Sequence, residues 1–320
     1  MAAAVPLAEL FATPLVSLNR SRRDVIEISS TAELSDAFST LAENSITSAP
    51  VKDAETGKYV GFIDVRDLTS FLVHFGAHID EGNFMVADVC AAGAGSVLDN
   101  VTVSYLARRN PFKGVKADAT IGDAVKLITT AKVKRVAVVN DDGQAEHIIS
   151  LSDMILFFAT HITAFPESFI NATANAMFGK DVENVLCVKA TQTVLEALTI
   201  MDDHKITGIA IIDDDSGAIV SNISGKDLRK FIKNPTYQQL HMPVVEMIKA
   251  LRQASQVDIA TPAIVVYPTT LVHMIVKKLA ATKVHRVYIV ESESHFAPIG
   301  VVTQTSIIKK VATFLPADDA

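Results

Sequence analysis

Four short segments of the chain end in related residues, and three of them carry an aspartate at the same place. The shared position is held by Asp67, Asp153 and Asp227, and by Ser306 in the fourth segment. It recurs at intervals of about 80 residues, and this regularity indicates an internal repeat. The segments are GFIDVRDL (61–68), HIISLSDM (147–154), SNISGKDL (221–228) and GVVTQTSI (300–307).

The three aspartates have a setting that suits hydrogen bonding to a sugar. Each follows a β-rich run and precedes an apolar-periodic stretch, so Asp67, Asp153 and Asp227 are expected in the first turn of a helix. There the positive end of the helix dipole keeps a carboxylate ionised. One carboxylate can accept hydrogen bonds from two neighbouring ribose hydroxyls. Taken alone, each aspartate is more often a helix cap than a ligand contact. Their equivalent positions, together with the family resemblance given below, favour ligand contact.

Hydroxyl side chains precede the repeated position by three residues in three of the segments. They belong to Ser150, Ser224 and Thr303. A hydroxyl between a strand end and a helix N-terminus can bind phosphate, although turn formation explains such residues equally well. Asp64 takes this place in the first segment, and its charge would repel a phosphate.

Basic residues stand directly before or at the start of a buried strand in the second and fourth repeats. Lys134 and Arg135 correspond in position to His285 and Arg286. The fork-shaped guanidinium group suits phosphate oxygens. Solvated surface charge is the alternative interpretation, and we favour phosphate binding at these positions.

The apolar pattern predicts the elements that hold these residues. Two Val- and Ile-rich runs joined by a polar turn predict an antiparallel strand pair ahead of each repeated position. A helix precedes each pair, as the spacing of Leu34, Phe38 and Leu41 indicates, and a further short strand precedes that helix. A final helix follows. The predicted unit is β-α-β-β-α.

A unit of about 60 residues buries too little apolar surface to be stable alone, so the repeats are expected to pair. We predict that repeats 1 and 2 form one domain and repeats 3 and 4 another. In residue numbers, the first domain is 1–161 (repeat 1 about 20–75, repeat 2 about 112–161), the linker is 162–184, and the second domain is 185–320 (repeat 3 about 185–234, repeat 4 about 262–315).

These motifs resemble the CBS-domain family over residues of about 15 to 315. The chain is more narrowly similar to gamma subunits of AMP-activated protein kinase and their fungal, plant and protist relatives. The resemblance implies an α/β (α+β) fold with two CBS pairs in a flat disk. It also implies AMP, ADP or ATP in the clefts between paired repeats and protein kinase catalytic or scaffold subunits as partners. The narrower likeness lies in ITAFPESF (162–169), YQQLHMPVVEMIKAL (237–251) and KVHRVYIV (283–290).

Three positions depart from the gamma-subunit pattern. Thr47 stands in repeat 1 where the family often has arginine, and Lys134 stands in repeat 2 where it has histidine. Ser306 replaces the ribose aspartate in repeat 4, whereas the family typically lacks it in repeat 2. We therefore expect the best sites to involve Asp153 and Asp227, with repeat 4 contributing cations.

Composition argues against several classes of function, namely nucleic-acid binding, zinc binding and membrane insertion. The chain has 320 residues and a formal net charge of −7, which disfavours nucleic acid as a partner. Cys90 and Cys187 form no zinc-ligand pattern, and the apolar run 154–159 is too short to span a membrane. The first 18 residues lack the basic start of a signal peptide and predict a short helix docked on the first domain. A cytoplasmic or nuclear location fits, with no membrane partner.

Catalysis and metal binding find little support in the sequence. No known nucleophile, metalloprotease or phosphate-loop motif is present, and AAGAGS (91–96) is predicted to be a linker rather than a phosphate loop. His74 and His78 could lie on one helix face, but a surface helix explains them better than a metal site does.

Two other binding functions stay open. A scaffold with the same fold would not respond to nucleotide, and a module for another adenosyl ligand, such as S-adenosylmethionine, would need the aspartates but not the cations. The joint presence of carboxylates and cations favours a non-catalytic regulatory module that senses energy state through adenine nucleotides.

Overall fold

The computed structural model describes residues 6–18, 24–76, 102–179, 185–231, 236–253 and 263–316. Within them the predicted βαββα unit is confirmed in all four repeats. Each repeat forms a three-stranded sheet in which the first strand pairs parallel with the second, and the second pairs antiparallel with the third. Cys90, His78 and the stretch 91–96 lie outside the described residues.

The elements follow in chain order. The helix α1 (Leu7–Ala12) precedes repeat 1, which consists of β1 (Ile28–Ser29), α2 (Leu34–Glu43), β2 (Ser48–Lys52), β3 (Tyr59–Asp64) and α3 (Val65–Gly76). The helix α4 (Val103–Arg108) precedes repeat 2, with β4 (Gly114–Lys116), α5 (Ile121–Thr130), β5 (Arg135–Val139), β6 (Ala145–Ser150) and α6 (Leu151–Thr160). The helices α7 (Glu167–Ile170) and α8 (Ala174–Phe178) precede repeat 3, with β7 (Cys187–Lys189), α9 (Val194–Asp203), β8 (Gly208–Ile212), β9 (Ile219–Ser224) and α10 (Gly225–Phe231). The helices α11 (Tyr237–His241) and α12 (Val244–Gln253) precede repeat 4, with β10 (Val265–Val266), α13 (Val272–Thr282), β11 (Arg286–Val290), β12 (Pro298–Thr303) and α14 (Gln304–Ala312).

The first helix of every repeat is followed by a residue in the left-handed region, three positions before the second strand. These residues are Ser45, Lys132, Lys205 and Lys283, with φ of 56°, 54°, 53° and 53°. The same backbone reversal at the same place brings each second strand back beside the first strand. The local geometry therefore repeats even where the side chains differ.

The repeats pair in a different order from the predicted one. One compact unit contains residues 1–25, 113–185 and 264–320, and the other contains 26–112 and 186–263. Repeats 2 and 4 thus share one unit (unit 2/4), and repeats 1 and 3 share the other (unit 1/3). These compact units do not coincide with the predicted domains 1–161 and 185–320, because α6 packs on α13 and α3 packs on α9 across alternate repeats.

Each unit has one continuous apolar core built from two repeats. In unit 1/3, Phe38 and Leu72 of repeat 1 belong to the same buried cluster as Leu198 of repeat 3. In unit 2/4, Phe158 of repeat 2 and Leu279 of repeat 4 share a cluster. Pairing therefore supplies the burial that a single repeat lacks, as expected from its size.

The segment before each repeat, which we call its lead-in, packs in the unit that does not contain that repeat. The chain passes between units at 25/26, 112/113, 185/186 and 263/264, where each lead-in ends and the next first strand approaches. The predicted N-terminal helix is present as α1 and packs on α5 of repeat 2. Each repeat is thus packed against the lead-in of a different repeat.

The described part of the predicted linker 162–184, residues 162–179, packs into unit 2/4. Ile162, Phe165, Phe169 and Phe178 are buried in the core of unit 2/4. They are buried because this lead-in, through α7 and α8, packs on α13 of repeat 4. Aromatic side chains at these positions fill a core and do not form a solvated connection.

Candidate functional site

The strand register places each predicted cation opposite a predicted hydroxyl. Arg135 is the register partner of Ser150, and Arg286 is the partner of Thr303. In repeat 3 the equivalent pair is Gly208 with Ser224. In repeat 1 it is Ser48 with Asp64. The positional correspondence inferred from sequence is therefore the structural one.

The residue before the second strand contacts the start of the final helix in every repeat. The Leu151 N–H donates to the carbonyl of Lys134 (3.3 Å), and the Gln304 N–H donates to the carbonyl of His285 (3.0 Å). Equivalent bonds join Val65 to Thr47 (3.0 Å) and Gly225 to Thr207 (3.1 Å). Lys134 and His285 are thereby held beside helix N-termini, where the helix dipole adds to their positive charge.

Within unit 2/4 the N-termini of α6 and α14 meet. The side-chain amide of Gln304 is within 3.1–3.2 Å of the Ser152 hydroxyl, and its Nε2 also donates to the Val284 carbonyl (3.2 Å). Gln304 is only 4% exposed, so this bridge is part of the packed interior. The bridge brings the predicted residues of repeats 2 and 4 to the same end of their unit.

Positive charge at these positions is confined to unit 2/4. Its strand starts carry Lys134 and Arg135 in repeat 2 and His285 and Arg286 in repeat 4. The corresponding residues of unit 1/3 are uncharged: Thr47, Ser48, Thr207 and Gly208. Since phosphate oxygens need cations or oriented N–H groups, unit 2/4 has the more favourable composition for a phosphate.

Arg286 lies in the interior of this arrangement. Burial lowers the pKa of its guanidinium below the usual value, and the neighbouring Tyr288 opposes that shift. A guanidinium that has lost water gains more from an added anion than an exposed one does. Its position at the start of β11 suits phosphate recognition.

The helix-capping role of the aspartates is observed in repeats 2 and 3. Asp153 Oδ2 accepts from the Ser150 N–H (2.8 Å) and hydroxyl (2.6 Å). Asp227 Oδ2 accepts from Ser224 in the same way, at 2.9 and 2.6 Å. Both aspartates are half-buried, so part of each residue is accessible to solvent. Capping orients each carboxylate at its helix start and is compatible with contact to a further donor.

Repeat 4 has a neutral version of this arrangement. The Thr303 and Ser306 hydroxyls are 2.9 Å apart, and the Thr303 side chain accepts from the Ser306 N–H (3.0 Å). With Ser306 in place of a carboxylate, the start of α14 itself presents no negative side chain at the repeated position to an incoming phosphate. The expectation that repeat 4 contributes cations rather than a ribose contact fits this geometry.

Asp67 has a different environment from its two equivalents. It is 1% exposed, and its Oδ2 accepts from the Asp64 N–H (2.8 Å) and the Asn110 side-chain amide (2.9 Å). Its buried Oδ1 has no hydrogen-bond partner among the described residues. Burial, and secondarily the charge of Asp64, raises the pKa of Asp67 to about 7. The structure therefore covers the aspartate that the sequence predicted to contact ligand.

Sequence reasoning missed the residues that make this cover. Asn110 precedes Pro111, and an Asn-Pro pair predicts only a turn. Its hydrogen bonds to repeat 1 depend on tertiary contacts more than 40 residues distant in sequence. The Ser152–Gln304 bridge was missed for the same reason.

Metal-binding clusters and membrane-spanning helices are both absent from the described residues. Among these residues no group of three or more His, Cys, Asp or Glu side chains is arranged to hold a metal ion. In the same part of the chain, no helix combines the length and apolarity needed to cross a membrane.

Comparison with known proteins agrees with this architecture. A family model described as CBS domain matches four stretches, residues 17–74, 103–160, 180–234 and 254–313. Protein SDS23 of Saccharomyces cerevisiae is 25% identical over 296 residues, which cover 87% of this chain and 55% of that protein. The chain therefore spans about half the length of this curated relative.

Two further likenesses bear on the narrower resemblance. The 5'-AMP-activated protein kinase subunit gamma of Dictyostelium discoideum is 22% identical over 238 residues, covering 72% of this chain and 40% of that protein. The crystal structure of MJ1225 from Methanocaldococcus jannaschii, described as a candidate archaeal homologue of g-AMPK, superimposes with a TM-score of 0.69 at 15% identity, covering 93% of this chain and 99% of that one. The resemblance to gamma subunits is confirmed at the level of repeats and fold.

Proposed function

Because the chain belongs to the CBS-domain family, we propose that it is a non-catalytic regulatory module that binds an adenine nucleotide, with phosphate recognition in unit 2/4. The observation that supports this most directly is the placement of Lys134, Arg135, His285 and Arg286 beside two helix N-termini of one unit. Asp153 at the start of α6 supplies a carboxylate for a ribose.

The charge of the site gives the module a way to discriminate between nucleotides. AMP, ADP and ATP share adenosine and differ in the negative charge that they bring to the same cations. A ligand shifts a conformational equilibrium only by its differential affinity for the two states. Four basic residues from two repeats provide such a difference, because each added phosphate changes how strongly repeats 2 and 4 are held together.

The proposed partner is a protein kinase catalytic or scaffold subunit. Support comes from the Dictyostelium relative, whose name is that of a kinase subunit. The measurement is the kinase activity of the complex isolated with this chain from its source cells, with and without AMP. Activity that responds to AMP with the natural chain and not with Lys134→Ala supports the assignment. Kinase activity that is absent or indifferent to AMP contradicts it.

Thermal melting with AMP, ADP, ATP, adenosine and S-adenosylmethionine tests the ligand. A ligand at 100 times its dissociation constant adds about 2.7 kcal/mol to the free energy of unfolding. Lys134→Ala and His285→Ala are expected to weaken AMP binding about 10- to 100-fold, the effect of losing one charge-assisted hydrogen bond. Adenosine binding, which uses no phosphate contact, should change little.

The matched control is Lys277→Ala, which removes one positive charge from an exposed position on α13 of the same unit. It should leave AMP binding unchanged. If none of the five compounds raises the melting temperature, the chain is a scaffold without nucleotide sensing. If S-adenosylmethionine alone does so, the ligand is another adenosyl compound.

A further inference from the structure

We propose that residues 102–112, the lead-in of repeat 2, are an internal cover that closes a latent binding site for a vicinal diol at Asp67 of repeat 1. We call residues 102–112 the cover. The ligand class rests on the proposed function, because a ribose supplies such a diol; the closure itself rests on geometry alone.

The cover lies unusually close to the strand it protects. It begins with α4, which Thr102 caps and which packs on β3 and β2. Val103 and Ala107 are fully buried there. A Cβ atom added to Gly61 would lie 2.0 Å from the Ala107 carbonyl oxygen, so any other residue would force the helix away. Glycine at this position permits the close approach.

Asn110 takes the hydrogen bonds that a ligand would need. Its Nδ2 donates to Asp67 Oδ2 (2.9 Å) and to the Phe62 carbonyl (3.1 Å), and its Oδ1 accepts from Arg66 Nη2 (3.0 Å). Its backbone carbonyl accepts from the Phe62 N–H (2.8 Å). The Phe112 ring stacks on Tyr59 with centroids 4.2 Å apart, which fixes the end of the cover. The Asn110 carboxamide therefore occupies the position beside the Asp67 carboxylate where a hydroxyl donor would otherwise bind.

The covered carboxylate lacks the donors that a diol would supply. Asp67 Oδ1 is buried with no hydrogen-bond partner among the described residues. Asp64, which is 8% exposed, adds a like charge, and Arg66 and Arg109 oppose it. A buried acceptor without a donor is unfavourable. Two hydroxyls on adjacent carbons could donate to both carboxylate oxygens, so a diol and the cover compete for the same group.

The cover also bonds to a side chain that joins repeats 1 and 3. Arg109 Nη2 donates to the Ser70 hydroxyl (3.3 Å), and that hydroxyl contacts the Asp202 carboxylate of α9. His74 lies 3.7 Å from the same carboxylate. Opening of the cover therefore removes the Arg109 donor from a hydroxyl that also bonds to repeat 3.

Asn110→Ala tests the closure, because it removes the side-chain hydrogen bonds and keeps the backbone. Hydrogen–deuterium exchange of the amides in residues 102–112 is expected to rise at least tenfold, with exchange in unit 2/4 unchanged. Isothermal titration of adenosine into the full-length Asn110→Ala protein should show one more binding site per molecule than titration into the natural chain. The added site should disappear in Asn110→Ala combined with Asp67→Ala.

Asn44→Ala is the matched control, since Asn44 is an exposed asparagine of the same repeat whose side-chain amide donates to the Thr40 carbonyl of its own helix (2.9 Å). It should alter neither measurement. Unchanged exchange in residues 102–112 of Asn110→Ala overturns the closure. Faster amide exchange in residues 102–112 without an added adenosine site overturns the diol site. In that case the role of residues 102–112 as a cover still stands. Failure of both adenosine and AMP to bind the natural chain contradicts the proposed function of unit 2/4 and not the cover.

Discussion

Asp67→Asn is expected to make the protein more stable than the natural chain at pH 8, by about 2–4 kcal/mol. The reason is that the folded protein holds Asp67 with a pKa of about 7, against 3.8 for an ordinary aspartate. Burial is the largest cause of this shift, and Asp64 adds to it. Asparagine resembles the protonated form that the folded state prefers, because its oxygen can still accept from Asp64 and Asn110.

The sign of the pH dependence follows from proton linkage. A carboxyl group whose folded pKa is raised binds more protons folded than unfolded between the two values. Its contribution to stability is fully present below about pH 4 and is lost as the pH rises to about 7, the folded pKa. The natural chain should therefore lose stability relative to Asp67→Asn across this window and stay at a constant difference above it.

Urea unfolding of both chains at pH 4.5 and pH 8 measures this difference. Asp227→Asn, at the equivalent but half-buried position of repeat 3, is the comparison for a carboxylate that no cover seals. This variant reports the general effect of an Asp-to-Asn change at the repeated position. A stability difference between Asp67→Asn and the natural chain that does not grow from pH 4.5 to pH 8 would contradict the buried state of Asp67.

The repeat itself could be predicted because each local signal points to the same structure. Thr120 ahead of Asp123 is a sequence signal for a helix start, and a reciprocal capping box is observed there. The Val- and Ile-rich runs became the buried strands β5, β8 and β11. Periodicity, capping and turn residues are local properties, so four divergent copies still reveal one unit.

The pairing of repeats could not be predicted in the same way. The helices of all four repeats present similar apolar faces, so α3 is suited by pattern to more than one partner. Nearness in sequence favoured a domain formed by repeats 1 and 2. In the structure, α3 packs on α9, so repeats 1 and 3 share a compact unit. The cover at Asp67 likewise depends on Gly61 and Asn110 meeting in space. Such contacts leave no periodic pattern.

The segment 162–179 carried a signal that sequence reasoning passed over. Phe165 and Phe169 are four residues apart, a spacing typical of a buried helical face and unusual in a solvated linker. The structure buries both rings, with centroids 5.2 Å apart. Aromatic spacing was therefore a better guide to this segment than its position between repeats.

Phe169→Ala is expected to lower the free energy of unfolding by about 3–5 kcal/mol, the cost of removing a fully buried aromatic side chain. Phe169 is 1% exposed and packs edge-on against Phe314, with centroids 5.5 Å apart, as well as against Phe165. The substitution opens a cavity where a lead-in joins the last helix region of repeat 4. A linker residue, by contrast, would tolerate alanine with a change of less than about 0.5 kcal/mol.

Denaturant unfolding monitored by circular dichroism measures this cost, with Met274→Ala as the matched control. Met274 is a large apolar residue of the same unit, on α13, and it is 52% exposed, so its truncation should cost little. A loss in Phe169→Ala no larger than in Met274→Ala would place the lead-in outside the core and restore the linker interpretation. A loss of the expected size shows that repeats 2 and 4 need a third segment of the chain to complete their core, because their own helices leave a gap that Phe165 and Phe169 fill.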